Sequence, residues 1–84
     1  MQHARRAGKR DAIEAAVISV ARRHGWLVLQ LDAFDLLCCR GERLIPVEVK
    51  TGNKPLTVYQ EGLVRDGWPL VVVRSVEEAE GVFA

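Results

Sequence analysis

Asp35, Glu48 and Lys50 are the residues of this chain whose types and spacing could do chemistry together. Two apolar runs flank Arg40-Gly41-Glu42-Arg43. A glycine at the first of two central positions suits a type II′ hairpin turn, and such a turn fixes the pairing of its strands. Cys38 then faces Ile45, Leu36 faces Val47 and Phe34 faces Val49 on a wholly apolar face. On the other face Cys39 meets Leu44, Leu37 meets Pro46 and Asp35 meets Glu48. Lys50, two residues beyond Glu48, shares that face. Directly opposed residues hold their β-carbons about 4.5–5.5 Å apart, where like charges destabilise a sheet. Burying such a pair costs more. A divalent cation between the carboxylates removes the conflict, and magnesium takes hard oxygen ligands such as these with substrate phosphate. The other reading has Asp35 at a strand edge in water and Glu48 paired with Lys50.

Seven elements must position these residues. Ile13, Ala16, Val17 and Val20 recur at helical spacing within residues 9–24, and Gly25 follows as a stop. Residues 26–31, 34–39 and 44–50 read as strands. Thr57 to Asp66 reads as a helix with Thr57 as N-cap and Gly67 past its end. Leu70 to Arg74 is a β-branched run and a buried strand. Ser75-Val76-Glu77-Glu78 is a capping box opening a last helix to about Phe83. The order is αβββαβα: a hairpin-rich, mixed four-stranded sheet flanked by helices, in the α/β or α+β class. Pro46 has no N–H, and its missing donor points away from the hairpin partner. Any further strand on that side must start after Pro46 or meet a bulge.

Composition bounds the answer. The 84 residues make one domain, 1–84, with 49% hydrophobic and 27% charged residues, a soluble globular mix. No apolar run reaches the roughly 18–20 residues of a membrane span. The basic N-terminus is followed by no long apolar stretch, so no secretory signal is expected. So short a chain buries only about 60–65% of its unfolded surface and gains from dimerising. Net charge is +1 overall, but residues 1–25 carry +4 and residues 55–84 carry −3. A basic first third can meet phosphate, or it can be a solvated helix face. Cys38 and Cys39, adjacent in a strand, suit neither a disulfide nor a zinc site. They are expected to be small buried hydrophobes in a reducing, cytoplasmic compartment. His24, in a last helical turn, is expected to be structural.

Asp35, then a hairpin, then Glu48-Val49-Lys50 resembles the D…E-x-K signature of the PD-(D/E)XK nuclease superfamily. Further segments resemble its VRR-NUC branch: Asp35-Leu-Leu37, Arg40-Gly41, Val47-Glu-Val-Lys-Thr-Gly52, Leu56-Thr-Val-Tyr-Gln60 and Val71-Val-Val-Arg-Ser-Val-Glu-Glu-Ala79. The resemblance covers roughly residues 11–83. Phe34 stands where the family has proline, and Gln30-Leu-Asp-Ala33 replaces its glycine-rich approach to the first acidic strand. Asp32 is a nearby carboxylate outside the 35/48 pairing.

The resemblance implies a restriction-endonuclease-like core and magnesium- or manganese-dependent hydrolysis of DNA phosphodiesters. Asp35 and Glu48 would bind metal, with the main-chain carbonyl of Val49 as a further ligand. Lys50 would orient the attacking water or stabilise the phosphorus centre. Glu14 would hold a second metal or a water, and Gln60 would point at the same site. Otherwise Glu14 is an exposed carboxylate favouring its helix dipole, and Gln60 an ordinary exposed helix residue. Arg5, Arg6, Lys9 and Arg10 would contact DNA, with Arg22 and Arg23 adding to that surface. Lys54 would touch a phosphate or remain solvated. Stand-alone members resemble homodimeric, junction-resolving nucleases of phages, which implies branched DNA as substrate in a bacterial or phage-infected cell. Trp68 and Phe83 are the aromatic residues expected to be covered by the second copy. The competing class is a non-catalytic module of the same fold that binds nucleic acid or protein. The complete Asp35/Glu48/Lys50 set favours the enzyme. A restriction-type subunit is disfavoured, because the chain has no room for a target-recognition domain.

Overall fold

The structure, a computed structural model, describes residues 9–84; of Lys9, Arg10 and Asp11 only the backbone is described. Helix α1 (Lys9–Arg23) leads through Gly25, at φ +87°, into β1 (Leu27–Gln30). Then come β2 (Leu36–Arg40), β3 (Arg43–Val49), α2 (Val58–Arg65), β4 (Val71–Val73) and α3 (Val76–Phe83). The expected order αβββαβα is observed, with ends moved by one or two residues.

The four strands form one mixed sheet in the order β1-β2-β3-β4. β1, β2 and β3 are antiparallel neighbours, and β4 runs parallel to β3 after the α2 crossover. The hairpin register is the expected one: Leu36↔Val47, Leu37↔Pro46, Cys38↔Ile45 and Cys39↔Leu44. Gly41 sits at φ +63° and Glu42, like every described non-glycine residue, has negative φ, as a II′ turn requires. Pairing of β4 begins at Val47↔Val71, the residue after Pro46. The proline thus sets where the parallel ladder can start.

Helices α1 and α3 pack on each other and on one face of the sheet. Between them lies the core: Val17, Val20 and Ala21 of α1, Leu36 and Cys38 of β2, Val47 and Val49 of β3, Val73 of β4, and Ala79 and Phe83 of α3. Burying each large apolar side chain contributes about 1.5–3 kcal/mol. Trp26 joins this core, edge-on to Phe83 with centroids 5.5 Å apart, and its Nε1–H donates to the Phe83 carbonyl. Phe83 is therefore covered by its own chain rather than by a partner, because α3 folds back over α1. Trp68 is exposed.

The two cysteines face opposite sides, as alternation demands. Cys38 is buried and its thiol pushed up to about 11 by desolvation. Cys39 is only half-buried, which corrects the expectation that both are core residues: its side of the sheet lacks the α1/α3 cover. His24 has the structural role expected of it, with Nε2 2.8 Å from Glu80 Oε1 of α3.

Candidate active site at the mouth of the hairpin

Asp35 lies where the β2–β3 ladder stops. The chain bends over residues 32–35, and β2 begins at Leu36. In an antiparallel pair, alternate N–H groups of each strand face the partner. Val49 N–H is one of these, and a continued ladder would give it to the Phe34 carbonyl. Instead it donates to Asp35 Oδ2 at 2.8 Å. In return Asp35 N–H donates to Glu48 Oε1 at 3.1 Å. The last rungs of the hairpin are thus made by carboxylates, each holding a main-chain N–H of the other's segment. Glu48 Oε2 lies 3.5 Å from Lys50 Nζ.

Asp35 and Glu48 are each 2% exposed, and the Lys50 side chain is 13% exposed. Carboxylates are almost never so buried unless paired or hydrogen-bonded. An Asp35 in open water is excluded, while the contact between Glu48 and Lys50 is present. The Asp35/Glu48/Lys50 constellation is therefore brought together on one face at one strand end.

Glu14 is also 2% exposed, so it is not a solvated helix carboxylate. Its Oε2 accepts from Gln30 Nε2 at 3.3 Å, and Gln30 pairs with Leu36, the neighbour of Asp35. Among the described residues, no three His, Cys, Asp or Glu side chains converge as a metal-holding group. Two carboxylates and a main-chain oxygen are hard donors that suit magnesium or manganese, which complete their shells with water and substrate oxygen.

Gln60 is buried, but its side chain has a local task. Thr57 Oγ1 accepts from Gln60 N–H, and Gln60 Oε1 accepts from Thr57 N–H at 3.0 Å, a reciprocal capping box for α2. That gives the glutamine at N3 a structural task in α2. Lys54 is exposed on the loop after β3. Arg22 and Arg23 are exposed at the end of α1. Arg5 and Arg6 lie outside the described residues, as do the side chains of Lys9 and Arg10. Asp32 is exposed in the bend.

Two residues that sequence reasoning missed matter here. Gln30 holds Glu14, and nothing in a lone glutamine at a strand end signals that. Arg74 ties down the loop after Lys50: its Nη1 donates to the carbonyls of Gly52 at 3.0 Å and Lys54 at 2.8 Å. Its signal was available in principle. With β4 beside β3 in parallel register, Val49↔Val73 puts Arg74 next to Lys50.

No family model matches the chain, and no curated protein or solved structure matches it.

Proposed function

We propose that this protein is a metal-dependent nuclease that hydrolyses DNA phosphodiester bonds, on a restriction-endonuclease-like core of the VRR-NUC type. The observation that carries the reading is the joint burial of Asp35, Glu48 and Lys50 at the hairpin mouth. A fold needs no acidic pair there, since main-chain rungs would close the same ladder. Magnesium or manganese, held by Asp35, Glu48 and the Val49 carbonyl, would neutralise phosphate oxygens and lower the pKa of a bound water. The chain's own contribution is positional. The Val49 N–H fixes the Asp35 carboxylate, the Asp35 N–H fixes that of Glu48, and Lys50 supplies a fixed positive charge for the charge that develops on phosphorus-bound oxygens. Gln30 of β1 holds Glu14 of α1, and the two would orient water or a second metal. Gln60 would serve by fixing the start of α2.

Branched DNA and a homodimer belong to the same reading. One chain carries one such site, and paired cuts in a junction need two. Two-fold symmetry supplies them. Leu27, Leu29 and Leu44, exposed at 73%, 61% and 59%, share with Leu37 and Cys39 the sheet face opposite α1 and α3. Edge strand β1 borders that face. An apolar face of this kind suits a second copy better than water, and it replaces Phe83 as the surface expected at the interface.

The test is cleavage of labelled four-way-junction and linear duplex DNA with magnesium or manganese, with chelator as control. Metal-dependent cutting, stronger on the junction, is the expected result. Intact DNA with either metal overturns the nuclease reading. Bound but uncut DNA would leave a nucleic-acid-binding module.

A further inference from the structure

We propose that the turn after β3 is a phosphate-binding subsite, formed by Lys50, Thr51 and Lys54, and that Arg74 is its positioning residue. The proposal rests on the nuclease reading above for its ligand, a backbone phosphate of DNA next to the one cleaved.

Three observations converge on this turn. First, its shape is set. Lys54 N–H donates to the Thr51 carbonyl at 3.3 Å, closing a four-residue turn, and Gly52 at φ +58° takes the conformation that other residues resist. Second, it is clamped from behind. The Arg74 guanidinium bonds the carbonyls of Gly52 and Lys54 together, and the Arg74 main-chain N–H donates to Glu78 Oε1 at the start of α3. Lys50 N–H donates to the Val73 carbonyl, so the base of the turn is also anchored to β4. Third, the residues around the turn suit an anion. Lys50, Thr51 and Lys54 line one small concavity together with Val49. Two of its four lining residues are lysines and a third carries a hydroxyl, the residue types that suit an anion.

The concavity adjoins the carboxylate pair through Lys50, whose Nζ is near Glu48 Oε2. A phosphate chain passing over Asp35 and Glu48 would meet the turn next. Main-chain carbonyls repel phosphate, so their capture by Arg74 also removes the unfavourable dipoles from that surface. Arg74 acts through the turn, because its Nη1 is committed to the two carbonyls.

The experiment is titration of labelled junction and duplex DNA with the full chain in chelator, over a range of salt, by anisotropy. Lys54→Gln, Arg74→Met and the double variant are compared with wild type, with Arg65→Gln on α2 as a control. Lys54→Gln is expected to flatten the plot of log affinity against log salt by about 0.9, one phosphate contact. Arg74→Met is expected to do the same while Lys54 is still present. The double variant should lose no more than either alone, as for residues acting in series. With metal, KM should rise severalfold for Lys54→Gln while kcat holds. Unchanged salt slopes in both single variants overturn the subsite. Additive losses overturn the positioning role of Arg74. Lys54 is exposed, so that variant reports on the subsite even if Arg74→Met folds poorly. A wild type that cleaves DNA while every slope stays the same sinks the subsite and leaves the nuclease reading intact. A wild type that binds with the expected slope losses but never cleaves does the reverse.

Discussion

The β2–β3 hairpin ends in two different ways. At its turn, the ladder closes on backbone, with Gly41 making the reversal and Arg40↔Arg43 as the last rung. The Arg40 side chain then reaches across, donating to the carbonyls of His24 at 3.2 Å and Phe83 at 3.1 Å, where α1 and α3 end. Its guanidinium also lies 4.7 Å from the Trp26 ring centroid. A cation thus satisfies carbonyls at the ends of two helices, where cations are favoured. At the mouth, anions satisfy N–H groups: Asp35 holds Val49 and Glu48 holds Asp35. Arg40 joins layers of the fold. The carboxylates join the two strands, a task that backbone performs elsewhere in the same hairpin. The turn end thus uses charge to tie layers of the fold together, while the mouth uses charge where main-chain rungs would also close the ladder, and the proposed function rests on that difference.

The largest effect expected is at the mouth. Lys50→Ala removes the fixed positive charge beside Glu48 and should lower the metal-dependent cleavage rate on the order of 10²–10³-fold, with a much smaller change in DNA binding. Single-turnover cleavage with binding measured separately checks it. Near-normal cleavage would move the role to Lys54 and blur the distinction between the two ends.

The turn end should respond in stability instead. Arg40→Met keeps much of the apolar stem over Trp26 but removes the donor to the His24 carbonyl and leaves the Phe83 carbonyl with the Trp26 Nε1–H alone. Hydrogen bonds from charged donors and the cation–π contact together put the loss at about 2 kcal/mol. Denaturant melts should show this cost with cleavage per folded molecule unchanged. A loss of cleavage in fully folded Arg40→Met would mean that the turn end belongs to the site as well.

Much of this hairpin was legible from residues alone. A two-residue turn beginning with glycine and a two-residue side-chain period decide which residues oppose which, and both are local. Pro46 even located the start of the β4 pairing, because a missing donor is a chemical fact independent of fold. The identity of the acidic pair was legible for the same reason. Its manner of holding was not: the bend at 32–35 turns a rung between opposed residues into side-chain bonds to N–H groups, and a register says nothing of bends. Gln60 read as a site residue, but the capping box with Thr57 accounts for its position. Phe83 and Cys39 were misjudged together, since one depends on α3 folding over α1 and the other on that cover being confined to one face. Arg74 and Gln30 make their bonds across elements distant in sequence, which no local pattern encodes.

Metal binding sharpens the comparison further. If Asp35 and Glu48 take magnesium or manganese, the ion stabilises the folded state by mass action, about 1.4 kcal/mol at ten times its dissociation constant. Asp35→Asn keeps an oxygen to accept the Val49 N–H, so the mouth should remain closed, and removing one of two like charges should raise metal-free stability. The variant should lose the metal response. Thermal melts with and without millimolar metal decide it, and Arg40→Met should keep a response of wild-type size. Equal shifts, or none, in wild type and Asp35→Asn would remove the metal from this site.

The smallest effect belongs to a second ionic tie between α1 and α3. Glu80 meets Arg23 and His24, and these bonds hold its carboxyl below its ordinary value of 4.5, with the Arg23 hydrogen bond the largest cause. A carboxyl whose pKa is depressed on folding adds stability that is full above 4.5 and is lost as pH falls through the lower folded value. The group is solvent-exposed, so screening keeps the effect small. Glu80→Gln should therefore melt slightly below wild type near neutral pH, and the gap should close on acidification and shrink in high salt. The carboxylates at the mouth are buried and tied to backbone N–H groups, which salt does not screen in the same way. A gap for Glu80→Gln that persists in acid would mean that Glu80 holds the helices by packing rather than by charge.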